Sequence, residues 1–249
     1  MSVSTQSLSS QGRFGSEQAE AREAVYRLAA VVFDYPLEET LDALQQGRLQ
    51  TALDLALQTT SDESWPVLNV SESLQELEVG YTATFIHGKR GKPRVPLVAS
   101  AYAHLIGGLT PGSFMLNVQA FYSNFGLKAA VADEGLQDEP DHLVAMLEFC
   151  ALLCFLEKQA LELDKDAAPY RRAQRDFLVR YLIPFLQAIR AGYAKESHHG
   201  LDSNLAHLLE ILPSWAYSQK QALETMVGAY SKETSKIASS NSASQSMWD

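Results

Sequence analysis

From about Glu17 onward, apolar residues recur at helical spacing in block after block, and no convincing alternation marks a strand. Val25, Leu28, Ala29 and Val32 put an apolar stripe on a first helix over about Glu17–Asp34, stopped by Pro36. Two shorter amphipathic helices follow over about Leu37–Gln46 and Arg48–Gln58, separated by Gly47. Trp65 falls in the loop around Ser61–Pro66, as a core plug or a ligand platform. Leu74, Leu77, Glu78, Tyr81 and Phe85 share one stripe of a helix from about Ser71 to Ile86. Helical spacing resumes from Leu97 to about Ile106 and ends at Gly107-Gly108. After the Pro111-Gly112 turn, Phe114, Val118, Phe121, Tyr122 and Phe125 make an aromatic-rich helix closed by Gly126. A long helix follows the loop at Gly135 and runs to about Leu163, and another covers about Pro169–Ala191, where Pro184 predicts a kink. Two last helices are expected over about Asp202–Leu212 and Pro213–Tyr230. With no internal repeat, the pattern predicts a single all-α domain of about ten helices. That domain is read as 17–230, between a Ser/Gln-rich arm (1–16) and a Ser-rich tail (231–249), both expected to be disordered.

The pattern breaks once, at Gly88-Lys89-Arg90-Gly91-Lys92-Pro93-Arg94-Val95-Pro96, which holds four of the 20 basic residues. Two glycines and two prolines exclude regular helix or central strand. The stretch lacks the G-x-x-x-x-G-K-[ST] pattern of a phosphate-cradling loop. It reads either as an exposed connection or as a surface steering an acidic segment or a nucleotide.

Composition narrows the class. A chain of 249 residues, 46% hydrophobic and 20% charged, can bury a real core. Its net charge of −10 argues against nucleic acid or an anionic membrane as the main partner. Cys150 and Cys154 stand at i, i+4, poorly placed for a disulfide and too few for a metal site, so they read as core side chains. No apolar run is long enough to cross a membrane and no signal-peptide pattern opens the chain, so a cytoplasmic location is expected. Asp141, His142 and Ser100 do not form a hydrolase elbow, and His198, His199 and His207 fit no metal motif, so no catalysis and no cofactor are expected.

The candidate chemistry lies in Asp138-Glu139-Pro140-Asp141-His142, at the start of the long helix. Pro140 suits a first turn, and Asp138 is the expected N-cap. Asp138, Glu139 and Asp141 sit at the positive helix end, with His142 among them. Glu148 lies one heptad beyond Asp141 and would share its face. Together they predict an anionic recess suited to a cation. The plainer alternative is ordinary capping, with Glu148 bonded to a backbone N–H or to Arg171 or Arg175.

Glu139-Pro140-Asp141-His142 followed by Leu147-Glu148-Phe149 resembles the E-P-D-H…L-E-F signature of the TorD/DmsD/NarJ family of redox-enzyme maturation chaperones. Tyr81, Phe85, Gly88, Pro96, Ser100 and Tyr102 resemble its upstream segment, and Phe121-Tyr122-Ser123-Asn124-Phe125-Gly126-Leu127 its linking element. The resemblance covers about Glu17 to Tyr230. It implies an all-helical cytoplasmic chaperone that binds the N-terminal, twin-arginine signal of a molybdenum-cofactor oxidoreductase subunit before export. It implies a peptide site at Pro96, Ser100, Pro140, Asp141 and His142. The acids Asp138, Glu139, Asp141 and Glu148 would take the arginines, and Tyr81, Phe85, Leu97, Val98 and Tyr102 would form the apolar groove. Leu97-Val98-Ala99 departs from the aromatic common in the family after that proline, which bears on client identity. The rival reading is a nucleotide-binding switch or GTP hydrolase using the basic 88–96 loop, since the resemblance leaves room for a weak guanine nucleotide; it also allows either a monomer or a domain-swapped homodimer.

Overall fold

The computed structural model describes residues 4–61, 63–88, 91–127, 139–196 and 200–231, with side chains from 15 onward. Among them there are nine α-helices and no strand, only an isolated antiparallel bridge between Val98 and His142. The helices are α1 (Ser4–Phe33), α2 (Glu38–Gln45), α3 (Arg48–Thr60), α4 (Leu74–Tyr81), α5 (Pro111–Asn124), α6 (Leu143–Glu162), α7 (Ala168–Phe177), α8 (Ile183–Lys195) and α9 (Ser203–Val227). The all-α expectation holds. Among the described residues, no helix is long and apolar enough to cross a membrane.

The core is built on α1 lying along α6, with α3 packed on α1 and α7 packed on α6. Helix α9 packs on α7, α8 and, less extensively, α1. Trp215 of α9 meets Tyr26 of α1 edge-on, with ring centroids 5.0 Å apart. Helix α1 starts at Ser4, ahead of the expected Glu17 and inside the stretch read as a disordered arm; at its Gly15 and Ser16 it faces Leu161 and Arg171, and the Ser16 hydroxyl donates to Glu162 at 3.3 Å.

Four element expectations need correction. The segment from Leu97 to Ile106 is not a regular helix: it passes through extended Val98 (φ −118°, ψ 123°), a 3-10 turn at Ala99–Ala101 and further turns. Besides local turn bonds, its first residues bond to the start of α6: Leu143 N–H donates to Leu97 O (2.8 Å) and Ala99 N–H to Asp141 O (3.0 Å). Helix α6 starts at Leu143, later than expected, and its N-cap is His142, whose Nδ1 accepts from Val144 N–H at 3.4 Å. Pro140 lies in the turn before it, closed by His142 N–H to Glu139 O at 2.8 Å. The last two predicted helices are one, α9, with Pro213 buried inside it. Finally, the interruption near Pro184 is a π-helical turn at Leu178–Leu182 joining α7 to α8. Proline lacks an N–H and crowds the carbonyl four residues back, and a wider turn accommodates both defects.

Candidate functional site

Helix α4 runs directly into a π-turn at Thr82–Ile86, which brings Tyr81 and Phe85 under the chain that returns through Pro93, Pro96 and Leu97. Arg94 and Val95 N–H both donate to Thr84 O (3.1 and 3.0 Å), tying the returning chain to that turn. The Val98–His142 bridge then adds the α6 N-cap as a third wall, and the turn after α1 contributes Asp34 and Tyr35. These segments enclose a recess of about 240 Å³, lined also by Ile86 and Val98.

Six of the sequence-predicted site residues line this recess together: Tyr81, Phe85, Pro96, Leu97, Val98 and His142. Tyr81 and Phe85 stack edge-on at 5.0 Å, and both are nearly sealed from solvent. The Tyr81 hydroxyl donates to Phe33 O at 2.7 Å. Burial first, then the Asp34 charge and Tyr35, push its pKa up, so it stays a donor.

Among the described residues, the predicted acids do not gather on one face. Asp141 has no exposed surface; its Oδ2 accepts from Ser100 N–H at 2.7 Å, while Oδ1 has no protein partner. It is turned inward because α6 starts after it, and it braces the Pro96–Tyr102 segment. Ser100 is the other half of that brace and does not line the recess. Glu139 is exposed in the preceding turn, and Pro140 O accepts from the Tyr122 hydroxyl at 2.6 Å. Glu148 is exposed on α6 and shares no recess with Asp141. Asp138 lies outside the described residues.

Tyr102 also leaves the group. Its hydroxyl, with pKa raised by burial, donates to Pro96 O at 3.0 Å. The ring lines a different groove of about 450 Å³ with Leu105, Pro184, Ala188 and Lys195. In the basic loop, Arg94 pairs with Glu196 at 3.1 Å; Lys89 and Arg90 lie outside the described residues.

Sequence reasoning missed two features. One is Asp34-Tyr35 at the recess, whose only signal was its place just before the helix-stopping Pro36. The other is Glu157, an acid with no exposed surface on α6. It accepts from Arg22 Nη2, Arg171 Nε and Gln174 Nε2, each at 2.7 Å. Arg171 is thus committed to Glu157, and Arg175 to Asp176 and the carbonyls ending α9, rather than to Glu148. Among the described residues, no group of three or more His, Cys, Asp or Glu side chains is arranged to hold a metal ion.

A family model described as "Nitrate reductase delta subunit" matches residues 33–191, which include every described wall of the recess. The chain belongs to this family. The nitrate reductase delta subunit family is the TorD/NarJ group, made of assembly chaperones rather than enzymes, and this member is a chaperone. A relative from Rhodovulum sulfidophilum, a dimethyl sulfide dehydrogenase assembly chaperone protein, is 39% identical over 233 residues, 93% of each chain. A perchlorate reductase assembly chaperone protein of Dechloromonas aromatica (strain RCB) is 30% identical over 69% of this chain and 77% of its own. A selenate reductase assembly chaperone protein of Thauera selenatis is 36% identical over 47% of this chain and 56% of its own.

Proposed function

We propose that this protein is a system-specific chaperone for a molybdenum-cofactor oxidoreductase subunit. It holds the subunit's N-terminal, twin-arginine signal in the cytoplasm through cofactor insertion and assembly, and then releases it for export. The unit doing this is 17–230. The observation that carries the reading is the recess, which gathers Tyr81, Phe85, Pro96, Leu97 and His142 from three separate segments of chain. Such a cavity, apolar and aromatic with few polar groups, suits a side chain anchored from an extended or helical guest segment that lies across it. The relatives named for dimethyl sulfide dehydrogenase, perchlorate reductase and selenate reductase support a client among respiratory oxidoreductases. The mechanism is capture rather than chemistry: apolar walls hold the greasy part of the signal, and acidic groups attract its basic part.

The test is a titration of a labelled twin-arginine signal peptide against wild type, His142→Asn and Glu148→Gln. Asparagine keeps an N-cap acceptor at position 142 and removes the ring from the recess wall. A loss of about fivefold or more is expected at His142→Asn, which corresponds to about 1 kcal/mol of contact. Binding should weaken as salt is added. Little change is expected at Glu148→Gln; the reverse order of effects would move the site onto the exposed face of α6.

A further inference from the structure

Among the described residues, no cation pairs with the negative end of α1. A helix terminates in carbonyls that make its C-terminus negative, and a cation usually sits there. Helix α1 is 30 residues long, has no basic side chain in its last turn, and is followed at once by exposed Asp34. Its nearest cation upstream, Arg27, is engaged by Glu23 at 3.0 Å. One Asp34 oxygen accepts from Tyr35 N–H at 2.7 Å, which fixes the carboxylate at the edge of the recess. Tyr35 is 43% exposed, donates its hydroxyl to Glu78 at 3.3 Å and meets the Tyr81 ring edge-on at 5.7 Å. Asp34 is the one carboxylate among the residues lining the recess.

We infer that the Asp34-Tyr35 turn, with the α1 C-terminus behind it, is the cation-reading element of the recess and takes one arginine side chain of the guest segment. The inference rests on the signal-binding reading above and names the group that reads the signal's charge. The Asp34 carboxylate and the helix end pair with the guanidinium, and Tyr35 offers an aromatic surface beside it. Arginine is favoured over lysine because a planar guanidinium both forks onto a carboxylate and stacks on a ring. At about 240 Å³, the recess is smaller than the roughly 300–1,000 Å³ that drug-sized ligands occupy, so it suits one side chain rather than a nucleotide.

The experiment titrates a signal peptide with paired arginines, and the same peptide with paired lysines, against wild type, Asp34→Ala, Asp34→Lys and His142→Asn, and melts each protein without peptide. Asp34→Ala is expected to weaken the arginine peptide about tenfold and to narrow its advantage over the lysine peptide. Asp34→Lys should bind more weakly still, yet melt above Asp34→Ala, because lysine complements the helix end. A merely structural role would move stability and binding the same way. Arginine-peptide affinity unchanged in Asp34→Lys overturns the inference, while a loss at His142→Asn in the same series leaves the recess reading intact. No binding by wild type removes both.

Discussion

Replacing Asp141 by alanine strips Ser100 N–H of its acceptor and removes one of the ties between the Pro96–Tyr102 segment and the start of α6. The expected cost is about 1–3 kcal/mol, since a backbone donor is left without a partner. Asparagine, which keeps an oxygen in place, should cost less. Urea unfolding of the two variants measures the difference, and equal costs would show that the Ser100 bond is not what Asp141 supplies. At this scale the sequence was legible where a residue's role followed from its type. Tyr81, Phe85, Pro96, Leu97, Val98 and His142, grouped by the sequence reading, line one recess. Asp141 was misread because an acid at a helix start looks like a surface group. Only the tertiary partner at Ser100 shows that it points inward. Asp34 was missed for the complementary reason: its meaning comes from the helix end and from Tyr81, which is distant in sequence.

Helix α4 sits flush against the loop that leads into α9. A Cβ at Gly80 would run into the Gly200 carbonyl, and both backbones would have to move apart. Gly80→Ala is therefore expected to destabilise by about 1–3 kcal/mol, as overpacking does, although alanine is the better helix former. Thermal melting checks this, and a neutral or higher midpoint would contradict the close approach. Asp202 reinforces the same contact: one oxygen caps α9 through Asn204 N–H (2.8 Å), and the other accepts from Ser71 N–H (2.8 Å) and its hydroxyl (2.9 Å). Apolar spacing located most helices because their buried faces repeat every three to four residues. It failed at Leu97–Ile106, where apolar residues contact the core without a regular helical backbone and Leu97, Ala99 and Ser100 bond to a segment some forty positions away. It failed differently at Pro213, where burial of the proline inside α9 outweighs the local preference for a break.

The bundle as a whole is cross-linked by Glu157 of α6, which joins Arg22 of α1 to Arg171 and Gln174 of α7. Burial by itself would raise the Glu157 pKa. The Arg22 charge and the bonds from Arg171, Gln174 and Arg22 outweigh it and hold the group below the usual carboxylate range. A depressed folded pKa contributes stability that is fully present above the unfolded value and lost as pH falls through the folded one. The urea midpoint should therefore hold down to about pH 4.3, the ordinary glutamate value, and drop below it. Glu157→Gln should cost about 3–5 kcal/mol near neutrality, because it leaves Arg22 buried without its counter-charge, and should flatten the acid-side decline. An equally steep decline in the variant would assign the acid sensitivity to other groups. No local pattern announced this cross-link: an acid in an apolar helix and an arginine 135 positions earlier pair only once α1 and α6 lie together. The bridge at His142 has a wider reach than its size suggests. One residue is at once a wall of the cavity, the partner of Val98 and the first hydrogen-bond acceptor of the 20-residue α6. Whatever occupies the cavity presses on the foundation of the central helix, so filling the site and firming the bundle become a single equilibrium.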